Sequence, residues 1–225
     1  MVVKAIEPLH DGDRLTAAEF ERRYEAMSEG VKAELIDGVV YMASAVRYTK
    51  HAEQHGSFMG ILSFYSAYTP GTSCGDNATV RVDESNQPQP DCCLLIDAKR
   101  GGRAEIDDDG YIQGTPELVA EVAASSADYD LGAKLETYRN DGAPEYLVWR
   151  VDDEQIDWFV LHAGQYDPMN PDADGILKST VFPGLWLDAP AMLRKDMVRV
   201  FEVLKAGLDS REHAEFVRQL QHLPT

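Results

Sequence analysis

Residues 116–124, PELVAEVAA, constrain the fold more than any other segment of this chain. An almost unbroken apolar run of that length reads as a strand covered on both faces, the pattern of a sheet packed between helices. A helix is predicted to follow over residues 130–140, with an acidic start and with Gly142 and Pro144 past its end. EYLVWR then reads as a second strand, so residues 118–149 are expected to form a βαβ unit. One residue does not suit the run. Glu121 lies deep inside it, between Ala120 and Val122, where an unpaired carboxylate would cost several kcal/mol, on the order of a lost buried charge partner. Such a glutamate must be paired with a cation, protonated, or placed at a cleft.

The remaining elements fall around this unit. Thr16, with Glu19 three residues on, predicts a capped helix through about Met27. KAELI-DG-VVYMA predicts a hairpin, because Asp37-Gly38 suits a type I′ turn that needs positive φ at both central positions. Over residues 49–68, His51, His55, Phe58, Leu62 and Tyr65 recur at steps of three and four on one helix face, and Pro70-Gly71 ends it. ATVRV and DCCLLID read as strands, with GGRAEIDDDG between later elements as an acidic, mobile loop. EYLVWR and IDWFVL are expected to pair as a hairpin through VDDEQ, GILKSTV gives a shorter strand, and helices over about residues 190–205 and 210–219 follow. Strands and helices interleave, so the class is α/β with a mixed sheet. At 225 residues, without repeat or Gly/Ser-rich linker, one domain is expected, with its core over about residues 15–205 and a helical tail over 206–225.

Bulk properties narrow the setting. No run of about 18 apolar residues predicts a membrane span, and MVVKAIEPLHDGDRL lacks the apolar core of a secretion signal. Three cysteines, two of them adjacent at Cys92 and Cys93, suit a reducing compartment and ordinary core positions. A cytoplasmic protein is expected. With 39 acidic against 21 basic residues the net charge is −18, which argues against a strong non-specific grip on nucleic acid through phosphate contacts. A metal enzyme remains compatible with that balance, because clustered carboxylates raise the acid count and a bound cation offsets them.

Asp91 opens the DCCLLID strand, and Lys134 borders the inward stripe of Leu131, Leu135 and Tyr138 on the helix after Glu121. Taken singly, Asp91 reads as a strand-end carboxylate, and Lys134 is evenly balanced between a site residue and a lysine reaching off the edge of an apolar face. Taken together, two carboxylates on neighbouring strands with one lysine suit Mg²⁺, which needs few protein carboxylates and keeps several waters. His51 and His55, four apart, have no further partner at zinc-site spacing and read as packing histidines, with His55 a candidate for the border of a cleft. Tyr138, one turn after Lys134, is balanced between hydrogen bonding in the site and core packing. Ser125 and Ser126 lie outside any G-x-S-x-G elbow, and no phosphate-cradling glycine loop is present.

These residues carry a resemblance. P-D followed by E-x-x and a helix resembles the PD-(D/E)XK nuclease superfamily. AELIDGVVYMAS, HAEQHG, GDNATVRVD, PQPDCCLLI, PELVAEVAASSADYDLGAKLETYR and APEYLVWR, in that order, resemble the Uma-type restriction endonuclease family. The resemblance implies a restriction-endonuclease-like core and an endonuclease acting on phosphodiester bonds, with DNA the expected partner. It implies Asp91, Glu121 and the Val122 carbonyl as ligands of Mg²⁺, with Mn²⁺ as a substitute. The superfamily lysine usually lies two residues after the glutamate, where this chain has Ala123; Lys134 matches the lysine supplied by the next helix. Glu34 matches the glutamate of the E-L-I-D-G hairpin, whose own residues read as a solvent-facing turn carboxylate. A homodimer is expected by analogy alone. Two rival readings keep the same residues: a nuclease fold used as a binding module without turnover, and a metal-dependent hydrolase of a smaller phosphoester.

Overall fold

The computed structural model describes residues 6–28, 30–124 and 126–222. Its centre is a six-stranded sheet built from β3 (Thr72–Asp76), β5 (Cys92–Ile96), β8 (Leu118–Ala123), β9 (Glu145–Arg150), β10 (Gln155–His162) and β11 (Gln165–Pro168), in the order β11-β10-β9-β8-β5-β3. β8 and β9 run parallel and the other neighbours antiparallel, so the sheet is mixed, as the interleaved pattern predicts. Every residue of β8 is buried, which accounts for its unbroken apolar sequence.

Alternation along β8 assigns its two faces. Leu118, Ala120 and Val122 pack with Phe58, Leu62 and Tyr65 of α2 (Ala52–Tyr68), and with Met192, Val200 and Leu204 from α5 (Ala189–Leu193) and α6 (Met197–Leu208). Val119 and Ala123 pack on the other face with Tyr138 and Tyr146, beneath α3 (Ala127–Asp130) and α4 (Ala133–Asn140). Glu121 shares that second face. Beyond it lies a third group of buried residues, joining Phe20 of α1 (Ala17–Tyr24) to Ala33, Leu35 and Val40 of the β1–β2 hairpin (Ala33–Ile36 and Val39–Met42). Asp37 and Gly38 turn that hairpin with φ of 51° and 70°, both positive as the type I′ reading requires.

Several expectations are corrected. The first helix stops at Tyr24, because after the Glu25 N–H bonds the Glu21 carbonyl the next N–H groups, of Ala26 and Met27, reach back only three residues, to Arg23 and Tyr24. ATVRV contributes only β4 (Val80–Arg81), in a small sheet with β6 (Glu105–Ile106) and β7 (Ile112–Gln113); the partner of β5 is β3, whose polar TSCGD sequence carries no strand pattern. GGRAEIDDDG contains β6 and a turn in which Asp107 accepts hydrogen bonds from the Asp109 and Tyr111 N–H groups, Gln113 and Arg81. The single helix expected over residues 130–140 is two helices, α3 and α4, broken at Leu131-Gly132. Likewise residues 190–205 split into α5 and α6 around Lys195, at φ 62°. β13 (Trp186–Asp188) pairs with β12 (Ile176–Lys178). α7 (Arg211–His222) packs back on α2, where His213 Nε2 meets the Thr69 hydroxyl at 2.9 Å and His213 Nδ1 the Leu208 carbonyl at 2.8 Å. No described helix is long and apolar enough to cross a membrane.

Candidate metal and phosphodiester site

Antiparallel pairing sets Cys92 opposite Ala120, which places Asp91, just before β5, beside Glu121 at the end of the shared ladder. The Asp91 N–H lies 3.3 Å from Glu121 Oε2, and the Val122 N–H donates to Asp91 Oδ2 at 2.8 Å. α4 crosses the same face and delivers Lys134, whose Nζ lies 2.8 Å from Glu121 Oε1 and 3.1 Å from Glu34 Oε2. Glu34 reaches in from β1 and is held by the Gln89 N–H at 3.0 Å and the Tyr129 hydroxyl at 3.0 Å. The structure therefore brings Asp91, Glu121, Lys134 and Glu34 together on the wall of one cleft of about 700 Å³, with Val122 beside them. Ser126 and Asp130 flank the same cleft, joined by a 2.6 Å hydrogen bond. Ser125 lies outside the described residues.

Three buried glutamates show why Glu121 is different. Glu117 is clamped by the N–H groups of Ile96 and Arg103. Glu145 accepts from Trp158 Nε1, the Ser179 and Thr180 hydroxyls, and the Thr180 and Val181 N–H groups. Both are buried carboxylates answered by donors and serve the structure of the sheet. Glu121 is only 3% exposed, yet its Oε1 has no aligned hydrogen-bond donor; the Lys134 ammonium is close enough for charge attraction alone.

The electrostatics follow from this crowding. Burial first, then the neighbouring Asp91, Asp130 and Glu34 charges, push the Glu121 carboxyl above its ordinary range, against the pull of Lys134. Burial works against the Lys134 ammonium, but Glu121, Glu34 and Asp130 outweigh it and hold the lysine charged. Burial also raises Asp91, while His51, Lys134 and the Val122 N–H together bring it below its ordinary value.

The histidines do not pair on a shared ion. His51 Nε2 lies 3.1 Å from Asp91 Oδ2, and its Nδ1 is buried without a partner. His55 Nε2 bonds the Asp91 carbonyl at 2.9 Å and meets Asp76 Oδ1 at 3.0 Å, so it sits behind Asp91 rather than on the cleft wall. Tyr138, a candidate for lining the site, lies instead in the core against Tyr146, fully buried and off the cleft, because the break at Gly132 fixes which face of α4 turns inward. Ala123, two residues after Glu121, is fully buried in that same core and leaves no room for a lysine. Sequence reasoning missed Tyr129, Gln89 and Asp130, which are recognisable only once the hairpin and α3 close on Glu121.

A divalent ion is implied by the resemblance, and the donor set fits one. Asp91 and Glu121 offer hard oxygen, and Glu121 Oε1, buried without a hydrogen-bond donor in good geometry, suits a cation. Since Val151 N takes the Ala123 carbonyl, alternation turns the Val122 carbonyl toward the side where β5 has already ended. Among the described residues no three His, Cys, Asp or Glu side chains converge as a ligand cluster, so the side-chain ligands on offer are the two carboxylates.

The fold and this site define a nuclease-like α/β protein. The backbone is similar to the crystal structure of "a putative nuclease belonging to DUF820" from Anabaena variabilis ATCC 29413, with a TM-score of 0.55 at 10% identity, over 83% of this chain and 97% of that one. The Uma2 family model, described as "Putative restriction endonuclease", matches residues 17–190, and the chain belongs to that family. No curated protein matches it.

Proposed function

We propose that the protein is a cytoplasmic Mg²⁺-dependent endonuclease of PD-(D/E)XK type that hydrolyses phosphodiester bonds in DNA. The observation that carries this reading is the buried Glu121 carboxylate set beside Asp91, with the Lys134 ammonium of α4 lying 2.8 Å from Glu121 Oε1. Asp91, Glu121 and the Val122 carbonyl would hold the ion, with Mn²⁺ able to replace it. When bound, Mg²⁺ supplies Lewis-acid charge at the scissile phosphate and lowers the pKa of the attacking water.

The chain's own groups do the rest. The Val122 N–H and His51 fix the Asp91 carboxylate so that it is aimed before any ligand arrives. Lys134, kept charged by Glu121 and Glu34, orients the attacking water and offsets charge building on the phosphate oxygens. Glu34 tethers Lys134 and is itself aligned by Tyr129 and Gln89, which makes it a positioning residue. The recess around Glu121 and Lys134 limits bulk water and strengthens each of these interactions.

Calorimetric titration of Mg²⁺ and Mn²⁺ into the wild type and a Glu121→Gln variant, with plasmid nicking on the same samples, tests the reading. Binding and nicking that both disappear in the variant support it. Asp91→Asn is expected to abolish nicking with the fold intact; cutting at the wild-type rate would sink the assignment. Ion binding without cleavage of any nucleic acid would favour the binding-module reading, to which the acid excess also lends weight.

A further inference from the structure

The segment between the hairpin and α2 has a chemistry unlike the rest of the surface. Residues 43–50 are all exposed, and Ala43, Ser44, Ala45, Val46, Arg47 and Lys50 line the cleft that holds Glu121. Val46 is 58% exposed, and Tyr48, which follows the lining residue Arg47 at the cleft's edge without lining it, is 71% exposed, both high for large apolar side chains. Arg47, and Lys32 on the same cleft, have no carboxylate within ion-pair distance among the described residues, in a chain whose net charge is −18. Lys50 pairs with Asp152, another lining residue. Tyr41 and Tyr129, tilted at 34° with ring centroids 4.3 Å apart, line the same cleft.

Resting on the nuclease reading, we propose that this cleft takes an unpaired polynucleotide strand, with Tyr48 as a base-stacking platform and Arg47 and Lys32 as phosphate contacts. Three observations point the same way. Glu121 and Lys134 are 3% and 4% exposed, so a phosphate must descend into the cleft to meet them. A volume of about 700 Å³ is that of a small-molecule pocket and holds a nucleotide or two. Exposed aromatic rings interleaved with unpaired cations are how proteins hold single strands without reading sequence, since every base offers a π-face. An acidic protein with this local exception discriminates by where its few free cations stand: a duplex laid across the surface would meet mostly repulsion. A double-stranded substrate would then be cut where it is frayed, nicked or locally extruded.

The test is fluorescence anisotropy with a short labelled single strand, as DNA and as RNA, and the corresponding DNA duplex. The wild type, Tyr48→Ala, Tyr48→Phe and Arg47→Ala are compared, with Ca²⁺ in place of Mg²⁺. Single strands are expected to bind at least about tenfold tighter than duplex, and Tyr48→Ala to lose about tenfold while Tyr48→Phe keeps wild-type affinity. Arg47→Ala is expected to reduce the slope of log affinity against log salt by about 0.7, the share of one phosphate contact on a single strand. The DNA and RNA arms show which polymer the cleft takes. Duplex binding as tight as single-strand binding, no binding at all, or a Tyr48→Ala variant equal to wild type would overturn the proposal. Its failure separates cleanly from that of the nuclease reading. Tight single-strand binding with no cleavage in Mg²⁺ leaves the clasp standing and removes the nuclease; cleavage with equal binding of both forms does the reverse.

Discussion

His51 shows how a residue's meaning changes with its neighbour. As one of two histidines on an apolar helix face it is indistinguishable from a packing residue, yet its Nε2 meets Asp91 Oδ2 and thereby fixes the carboxylate assigned to the ion. Groups that orient a ligand typically contribute about 10- to 100-fold in metal affinity. His51→Ala is therefore expected to weaken Mg²⁺ binding by about tenfold in calorimetry with an unchanged melting temperature; unchanged affinity would mean that the Val122 N–H alone aims Asp91. Asp141 illustrates a different kind of buried carboxyl. It has an oxygen without a hydrogen-bond partner, and burial, then Asp83, push its pKa up to about 7 from an ordinary 3.8. The folded chain holds that proton longer than the unfolded one. The associated stability is fully present below about pH 4 and is lost as pH rises through about 7. Asp141→Asn is expected to flatten this loss, gaining about 1 kcal/mol at pH 8 once partial solvent screening is allowed for, as urea denaturation across pH would show.

At the scale of elements, the break between α3 and α4 decides where the site's cation goes. A Cβ on Gly132 would lie 2.5 Å from the Asp128 carbonyl oxygen, so no other residue fits without moving the junction. α4 starts one residue later and carries Lys134 at its second position. Gly132→Ala is expected to cost about 1–3 kcal/mol in urea denaturation, as overpacking does, and to reduce nicking more than the stability loss explains, because Lys134 shifts away from Glu121. A stable variant with full activity would show that Lys134 tolerates displacement. The strands whose sequence alternates or runs apolar, β5, β8, β9 and β10, are all legible from their residues. β3 is not, since TSCGD owes its extended form to the ladder with β5 rather than to its own preferences.

Across the whole molecule the charge of −18 acts as a uniform self-repulsion that salt screens. Raising NaCl from about 0.05 to about 0.3 M is expected to raise the melting temperature in calorimetry. A fall would mean that ion pairs such as those of Arg81 with Glu21 and Asp107 outweigh the repulsion. The same salt would weaken any polynucleotide held through Arg47 and Lys32, so stability and binding should move in opposite directions.

Glu34 came only through the family resemblance; what the sequence determined by itself was the framework: an apolar strand carrying Glu121, a helix after it, a parallel partner strand, and the candidates Asp91, Glu121 and Lys134. Those follow from local rules, because hydrophobic periodicity and the cost of burying a charge are written residue by residue. Only the tertiary structure decided the remainder. It sent Tyr138 into the core and His55 behind Asp91, left one oxygen of Glu121 without an aligned donor while satisfying Glu117 and Glu145, and set Tyr129 and Gln89 on Glu34. Those outcomes depend on which distant segments meet and at what angle, and no pattern within one segment encodes the partner that will answer its charge.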